Sequence, residues 1–144
     1  MRFQRLRDGR CQLRFESGEA VAQALMTWLT NERIGYATMT GLGAVSSATV
    51  SYWNSNTREY EQHVLDEQME VVSLTGNVTI KGGAPFTHIH VTLGRSDLSI
   101  TGGHLNDLVV HPNLEVWVSP ELDPVKRTLD ERSGLYLMDL PEHG

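Results

Sequence analysis

Three histidines are the residues whose types and spacing most clearly permit chemistry. His88 and His90 stand two positions apart, and His104 directly follows a glycine pair at 102–103. If residues 86–93 form a strand, successive side chains alternate between its faces, so His88 and His90 project to the same side. Three neutral imidazoles with an open fourth position form the ligand set of a zinc-like site. The spacing therefore predicts a metal site made by His88, His90 and His104.

A turn between two strands is needed to bring His104 to the other histidines. Gly94 and Asp97 favour a turn after the first strand, and residues 98–101 can then return antiparallel. The glycine pair permits a bend that directs His104 towards the pair. The alternative interpretation is that His88 and His90 are solvated residues on the polar face of a strand, which is the usual outcome for such a pair alone.

Two carboxylates are candidates for a role beside the metal. In a strand over residues 69–80, alternation places Glu70 on the same face as Leu74, where an unpaired carboxylate is costly. Glu115 lies between two apolar residues and shares a face with Trp117. If the protein is an enzyme, Glu70 or Glu115 would act as a general acid or base, or would orient a metal ligand. A surface or subunit salt bridge is the other interpretation of each.

Length and composition limit the possible classes of protein. A chain of 144 residues is expected to form one domain over residues 1–144, with a core that needs no disulfide. The single cysteine, Cys11, has no internal partner, and the N-terminus lacks the apolar run of a secretory signal. We therefore expect a cytoplasmic protein. Since no apolar run approaches the roughly 18 residues of a membrane span, no membrane partner is expected.

The charge distribution allows a small basic patch on an acidic chain. The net charge of -6 argues against a generic binder of phosphate backbones. Residues 1–14 nevertheless hold five arginines against one aspartate, a net charge of +4. This segment is interpreted either as an exposed hairpin face or as a basic patch for a partner. The arginines are Arg2, Arg5, Arg7, Arg10 and Arg14.

Periodicity predicts one amphipathic helix and many strands. The apolar residues Val21, Ala24, Leu25, Trp28 and Leu29 recur at helical spacing and predict a helix over residues 18–33, with Ser17 as its cap. The strands are predicted at 3–7, 11–15, 36–41, 45–53, 58–65, 69–80, 86–93, 98–101 and 113–119, with a possible short strand at 108–110. Residues 120–140 show only a turn and a weakly patterned, charged tail.

Glycines at 41 and 43 could suggest a nucleotide-binding loop, but the residues after them favour a strand over the helix that such a loop requires. We predict that Gly41-Leu42-Gly43 shapes a turn or a bulge. Together, the patterns indicate an antiparallel sheet over most of the chain, with one main amphipathic helix packed on it.

Five segments carry a combined signature: Gly41-Leu42-Gly43-Ala44, Glu70 to Val78, His88-Ile89-His90-Val91, Gly102-Gly103-His104-Leu105 and Glu115-Val116. Taken in order, they resemble the PPC domain (plants and prokaryotes conserved) over about Arg2 to Leu140. The resemblance implies an α+β domain, with a curved, mostly antiparallel sheet and a helix packed on it, that assembles as a homotrimer. It also implies one zinc-like divalent ion per subunit, held by the three histidines of the prokaryotic form.

Plant relatives carry this domain behind AT hooks that bind DNA, while the domain itself mediates self-association. This sequence has no AT hook, because Arg7-Asp8-Gly9-Arg10 does not match that motif. DNA binding therefore does not carry over from the plant relatives. The resemblance implies a binding or scaffold module, and its partner could be DNA or a protein.

The PPC fold is also similar to that of acetolactate decarboxylase, a zinc enzyme that uses an H-x-H pair and a later histidine. This similarity implies a metal-dependent lyase or hydrolase as the alternative function. The identity of the ion stays open, because imidazole ligands accept zinc, nickel, copper or iron.

Overall fold

Strands make up most of the molecule, and one helix packs on them. The computed structural model describes residues 1–141, in which nine strands and one helix are found. The α+β class with a mainly antiparallel sheet is confirmed. The elements are Arg2–Arg5 (β1), Cys11–Glu16 (β2), Val21–Asn31 (α1), Ala37–Asn54 (β3), Glu59–Leu65 (β4), Met69–Lys81 (β5), Ala84–Gly94 (β6), Ile100–Pro120 (β7), Arg127–Asp130 (β8) and Leu135–Met138 (β9).

The main sheet curves until it closes on itself. Its seven strands follow the order β1-β2-β7-β6-β5-β3-β4, and β7 pairs with β3 in addition. Strands β3, β5, β6 and β7 therefore form a closed cycle of antiparallel pairings. The inner face of this curved sheet holds much of the apolar core, including Leu74, Val91, Leu93 and Leu114.

Two long strands replace several shorter predicted ones. The predicted strands 36–41 and 45–53 are one strand, β3, and the predicted segments 98–101, 108–110 and 113–119 are all parts of β7. Irregular pairings interrupt the alternation within both strands, and these breaks are why the sequence suggested separate elements. One break lies between Gly41 and Gly43, so the predicted bulge is confirmed.

The amphipathic helix is confirmed, but its predicted cap is wrong. Helix α1 begins at Val21, and Ala20 occupies the cap position without a side-chain hydrogen bond. The backbone N–H of Ala22 donates instead to Oδ1 of Asp107, at 2.9 Å. Ser17 is turned away, with its Oγ 2.9 Å from Nδ1 of His111. Asp107 of β7 thus accepts a hydrogen bond from one of the free N–H groups at the start of the helix. Because the two residues are far apart in sequence, no local sequence pattern could indicate this contact.

The helix attaches to the sheet through its apolar stripe. Four apolar residues of the helix are buried and join the core residues of the neighbouring strands: Val21, Leu25, Trp28 and Leu29.

The single cysteine, Cys11, is also buried. Burial raises the pKa of its thiol, so Cys11 is not an activated nucleophile. No helix within residues 1–141 is long and apolar enough to cross a membrane.

A hairpin of β8 and β9 follows the main sheet in a region where we had expected only a charged tail. The two strands pair with each other and form their own two-stranded sheet. The backbone N–H of Ile80 in β5 donates to the carbonyl of Val125, at 2.8 Å, and this bond joins the segment before β8 to the main sheet. The hairpin is thereby placed beside the polar face of β5.

Candidate metal centre

Strand β6 presents two histidines on one face, as the alternation predicts. Ile89 and Val91 are buried in the core, whereas His88 is half-buried and His90 is exposed on the opposite face. Burial of the apolar residues fixes the register of β6, because a slip of one residue would expose them and bury the histidines. The hydrophobic core therefore determines where the two imidazoles project.

The third histidine lies directly across from the second. In the antiparallel pairing of β6 with β7, His104 stands opposite His90, and Gly103 and Gly102 precede it. A Cβ on Gly102 would lie 2.0 Å from the carbonyl oxygen of Val91, and one on Gly103 would lie 2.8 Å from that of Ser51. Only glycine permits these close approaches of backbone to backbone.

The three rings meet at one point on the sheet. One ligand atom from each of His88, His90 and His104 lies within 4.8 Å of the others, and no carboxylate of residues 1–141 completes this group. The ring centroids are 5.1 to 5.5 Å apart. Two nitrogens on a tetrahedral zinc ion stand about 3.4 Å apart, so small side-chain rotations would bring this set to coordinating distance.

The electrostatics of the cluster favour neutral imidazoles. The pKa of His104 is lowered to about 4, mainly by burial and in addition by the neighbouring His88 and His90. The pKa of His88 is lowered by burial first, and then by Arg127 and His90. His104 Nδ1 is buried and has no hydrogen-bond partner within residues 1–141. A neutral imidazole whose buried nitrogen has no hydrogen-bond partner is suited to bind a metal ion.

A cavity of about 720 Å³ opens beside the cluster. His88 and His104 form part of its wall, together with Tyr60 and Lys81 of the main sheet and Arg127 of the C-terminal hairpin. The guanidinium of Arg127 comes within 3.5 Å of His88 Nδ1. Our sequence interpretation did not include Arg127 or Lys81. The sequence signal was positive charge alone: Lys81 directly follows the predicted strand 69–80, and Arg127 lies in the weakly patterned tail.

The structure places both candidate carboxylates away from this cavity. Glu70 is exposed, and the expectation that it shares a face with Leu74 is wrong. The pairing of β5 with β6 shifts between Val71 and Ser73, so the alternation reverses there: Leu74 faces the core and Glu70 faces solvent. Glu115 is half-buried and lines a separate cleft beside the N-terminal hairpin, with Trp117.

His63, His111 and His143 have no partner at metal-ligand spacing in the sequence, which predicts surface positions for them. His63 and His111 are exposed and lie outside the cluster, whereas His143 lies outside the described residues. Four of the five N-terminal arginines pair with carboxylates, which favours the interpretation of an exposed hairpin face. These ion pairs are Arg2–Glu16 at 3.0 Å, Arg5–Glu32 at 2.7 Å, Arg10–Asp8 at 2.7 Å and Arg14–Glu16 at 2.9 Å.

Comparison with known proteins supports the resemblance seen in the sequence. Residues 7–120 match the family model described as the Plants and Prokaryotes Conserved (PCC) domain, which is the PPC domain named above. No curated protein matches the chain.

Several solved structures are similar over nearly the whole chain, and two of them bear on function. A metal-containing protein from Archaeoglobus fulgidus is 35% identical, with a TM-score of 0.83 and coverage of 90% of this chain and 91% of that one. A protein from Bacteroides thetaiotaomicron, described as a candidate DNA-binding protein, is 26% identical, with a TM-score of 0.92 and coverage of 96% of both chains.

A more distant likeness concerns the fold alone. Acetolactate decarboxylase from Bacillus subtilis subspecies spizizenii has a TM-score of 0.56 and 10% identity, over 81% of this chain and 54% of that one. The expected similarity of fold to this enzyme is confirmed.

Proposed function

The chain belongs to the Plants and Prokaryotes Conserved (PPC) domain family, and we propose that it is a homotrimeric binding module that holds one zinc-like divalent ion per subunit. His88, His90 and His104 would hold the ion. The observation that supports this proposal is the convergence of three imidazole nitrogens within 4.8 Å. The metal-containing relative from Archaeoglobus fulgidus, at 35% identity, gives independent support.

The residues present fit such an ion. The cluster offers three nitrogen ligands and no carboxylate within residues 1–141, a set that suits zinc, nickel, copper or iron better than magnesium or calcium. The buried Nδ1 of His104 has no hydrogen-bond partner among the described residues, 1–141. The cavity beside His88 and His104 leaves one side of the cluster open for a further ligand. A bound ion would supply Lewis acidity at this point.

Metal analysis tests the proposal directly. Protein purified without a histidine tag or chelator is expected to contain close to one divalent ion per chain, measured by inductively coupled plasma mass spectrometry. Removal of the ion is expected to lower the melting temperature, because an ion that binds the folded state stabilises it by mass action. Protein that contains no metal, and takes up none when zinc, nickel, copper and iron are supplied, would contradict the proposal.

The homotrimer and the association with DNA are proposed from the family and from a relative. The Bacteroides thetaiotaomicron protein, at 26% identity, is described as a candidate DNA-binding protein. Within residues 1–141, Arg7 is exposed and has no carboxylate at ion-pair distance. A trimer would present three copies of the N-terminal hairpin together. Sedimentation equilibrium is expected to give three times the 16.1 kDa of one chain.

A gel-shift assay near physiological salt tests the association with DNA. Replacing both Arg5 and Arg7 with alanine is expected to weaken binding and to reduce its salt dependence, because each lost phosphate contact lowers the slope by about one. Arg132→Ala, in the exposed turn between β8 and β9, is the matched control and should leave binding unchanged. Equal affinity of the double variant and the wild type, or no binding by the wild type, would exclude this role for the hairpin.

The cavity beside the histidines favours one alternative, a metal-dependent lyase or hydrolase. The proposed proton-handling residues of such an enzyme are Glu70 and Glu115. Neither lines the cavity of its own chain. Glu70 and Glu115 could transfer protons in such an enzyme only if assembly of the subunits brings them to the cavity of a neighbouring subunit. Glu59 is the acidic side chain that lines the cavity directly, and Tyr60 and Tyr136 are the phenolic ones.

A further inference from the structure

Arg127 is a partly buried cation that has neutral partners. Its Nε donates to Thr79 Oγ1 at 2.8 Å, and its terminal nitrogens donate to the carbonyl of Tyr136 at 2.8 Å and to Oδ1 of Asn77 at 3.1 Å. Across residues 1–141, no carboxylate pairs with it. Three neutral oxygens thus fix the plane of the guanidinium without neutralising its charge, and at least one N–H remains free to donate.

A second cation lies beside Arg127, across an aromatic ring. Lys81 Nζ stands 3.5 Å from the ring centroid of Tyr136 and 5.2 Å from that of Phe86. Arg127 Cζ also stands 5.2 Å from the centroid of Phe86. These ring faces stabilise both cations without cancelling their charge. The aromatic contacts therefore hold two positive charges at the cavity wall.

The whole cavity carries an excess of positive charge. Arg58, Lys81 and Arg127 line it against one carboxylate, Glu59, which gives a net charge of +2 when the histidines are neutral. A divalent ion at the three-histidine cluster would add two more positive charges. This imbalance is unusual for a chain whose net charge is -6. The electrostatics thus favour an anionic ligand.

The cavity is too large for a simple inorganic anion and has apolar walls. Its volume of about 720 Å³ is in the range of small-molecule sites. Trp53, Tyr60, Phe86 and Tyr136 contribute aromatic surface to it. An aromatic wall with a cationic end suits a ligand that has a flat or apolar body and an oxyanion at one end.

We propose that this cavity binds a small organic anion, a carboxylate or a phosphate ester, with Arg127 as its main anion contact and Lys81 as the second. The oxyanion would lie at the cavity wall that Arg127, Lys81 and the histidine cluster share. A metal ion at that cluster would be a third contact, and this part of the inference rests on the proposed metal site. The family model ends at residue 120. The hairpin that supplies Arg127 and Tyr136 lies beyond that limit, so the match to the family model does not include this part of the anion site.

Isothermal titration calorimetry with chosen probes tests the proposal. Benzoate and phenyl phosphate represent the two anion classes, and benzamide is the neutral counterpart of benzoate. At least one anion is expected to bind about tenfold or more tightly than benzamide, because a hydrogen bond to a charged group contributes enough for that ratio. Arg127→Gln should weaken this binding by about tenfold or more, and Lys81→Gln by a smaller factor. The anion that binds identifies the ligand class.

The controls separate anion binding from folding and from metal binding. Arg132→Gln changes an arginine of the same hairpin that is exposed, and it should bind the anion like the wild type. Circular dichroism and metal content are measured for each variant. Lys81→Gln serves if Arg127→Gln does not fold, since Lys81 makes aromatic contacts rather than hydrogen bonds to the hairpin.

The outcomes are distinct for the two proposals. Anion binding that depends on Arg127 in metal-free protein would support the anion site even if the metal site failed. Metal-loaded wild type that binds neither anion, or that binds benzamide equally well, would overturn the anion site alone. Folded Arg127→Gln and Lys81→Gln variants that both bind like the wild type would also overturn it.

Discussion

Replacing His104 with alanine is expected to reduce the metal content from about one ion per chain to near zero. Loss of a residue that only supports a ligand typically costs 10- to 100-fold in metal affinity, so loss of a direct ligand should cost more than about 100-fold. The two remaining histidines, His88 and His90, would form a site with too few ligands. The fold should survive, because His104 lies on the polar face and only its backbone takes part in the pairing of β6 with β7.

The matched control for this variant is His63→Ala. His63 is an exposed histidine on β4, and it does not belong to the cluster. Its replacement should leave both metal content and melting temperature unchanged. A His104→Ala protein that retains one ion per chain after dialysis, with competition by a chelator, would refute the three-histidine site.

Gly102→Ala is expected to destabilise the fold by about 2–5 kcal/mol and to weaken metal binding as well. The first cost is the positive φ of Gly102, 148°, which a residue with a Cβ tolerates poorly. The second is overpacking, since the new methyl carbon would lie 2.0 Å from the carbonyl oxygen of Val91. Relief of this clash must push β7 away from β6, and His104 would move away from His90 with it.

Urea unfolding and metal titration measure the two effects of Gly102→Ala. Gly9→Ala is the control, because Gly9 also has a positive φ, 88°, but a Cβ there meets nothing within 4 Å. It should cost only about 1 kcal/mol and leave the metal affinity unchanged. If both variants lose the same stability and keep the same metal affinity, the close approach at Gly102 does not position His104.

Local periodicity was sufficient to predict the helix and the pair of histidines. The stripe from Val21 to Leu29 repeats at helical spacing over two turns, and burial of that stripe is what the structure shows. The alternation in β6 likewise follows from the burial of Ile89 and Val91. Both patterns depend on residues within one element, so no knowledge of distant contacts was needed.

Glu70 shows where the same reasoning fails. Strict alternation from Leu74 back to Glu70 assumes a regular strand, but the pairing shifts between Val71 and Ser73. That irregularity depends on the partner strand β6, and no residue in the segment signals it. One shifted position exchanges the two faces of a strand. A carboxylate expected beside the core is therefore exposed to solvent.

Arg127 was not predictable for a related reason. Its three hydrogen-bond partners come from β5 and from the other strand of its hairpin, at Asn77, Thr79 and Tyr136. The hairpin itself is short, and its strands are half exposed, so hydrophobic periodicity is weak there. Contacts that are distant in sequence gave this arginine its position.

The adjacency of β6 and β7 has a consequence for how the ion would act on the unfolded chain. All three histidines lie between residues 88 and 104, in strands that are consecutive in sequence. Bringing such near neighbours together costs little loop entropy, so the denatured polypeptide also retains some capacity to chelate the ion. The gain in conformational stability on metal loading should therefore be smaller than the affinity of the native protein alone implies, because the reference state is stabilised too.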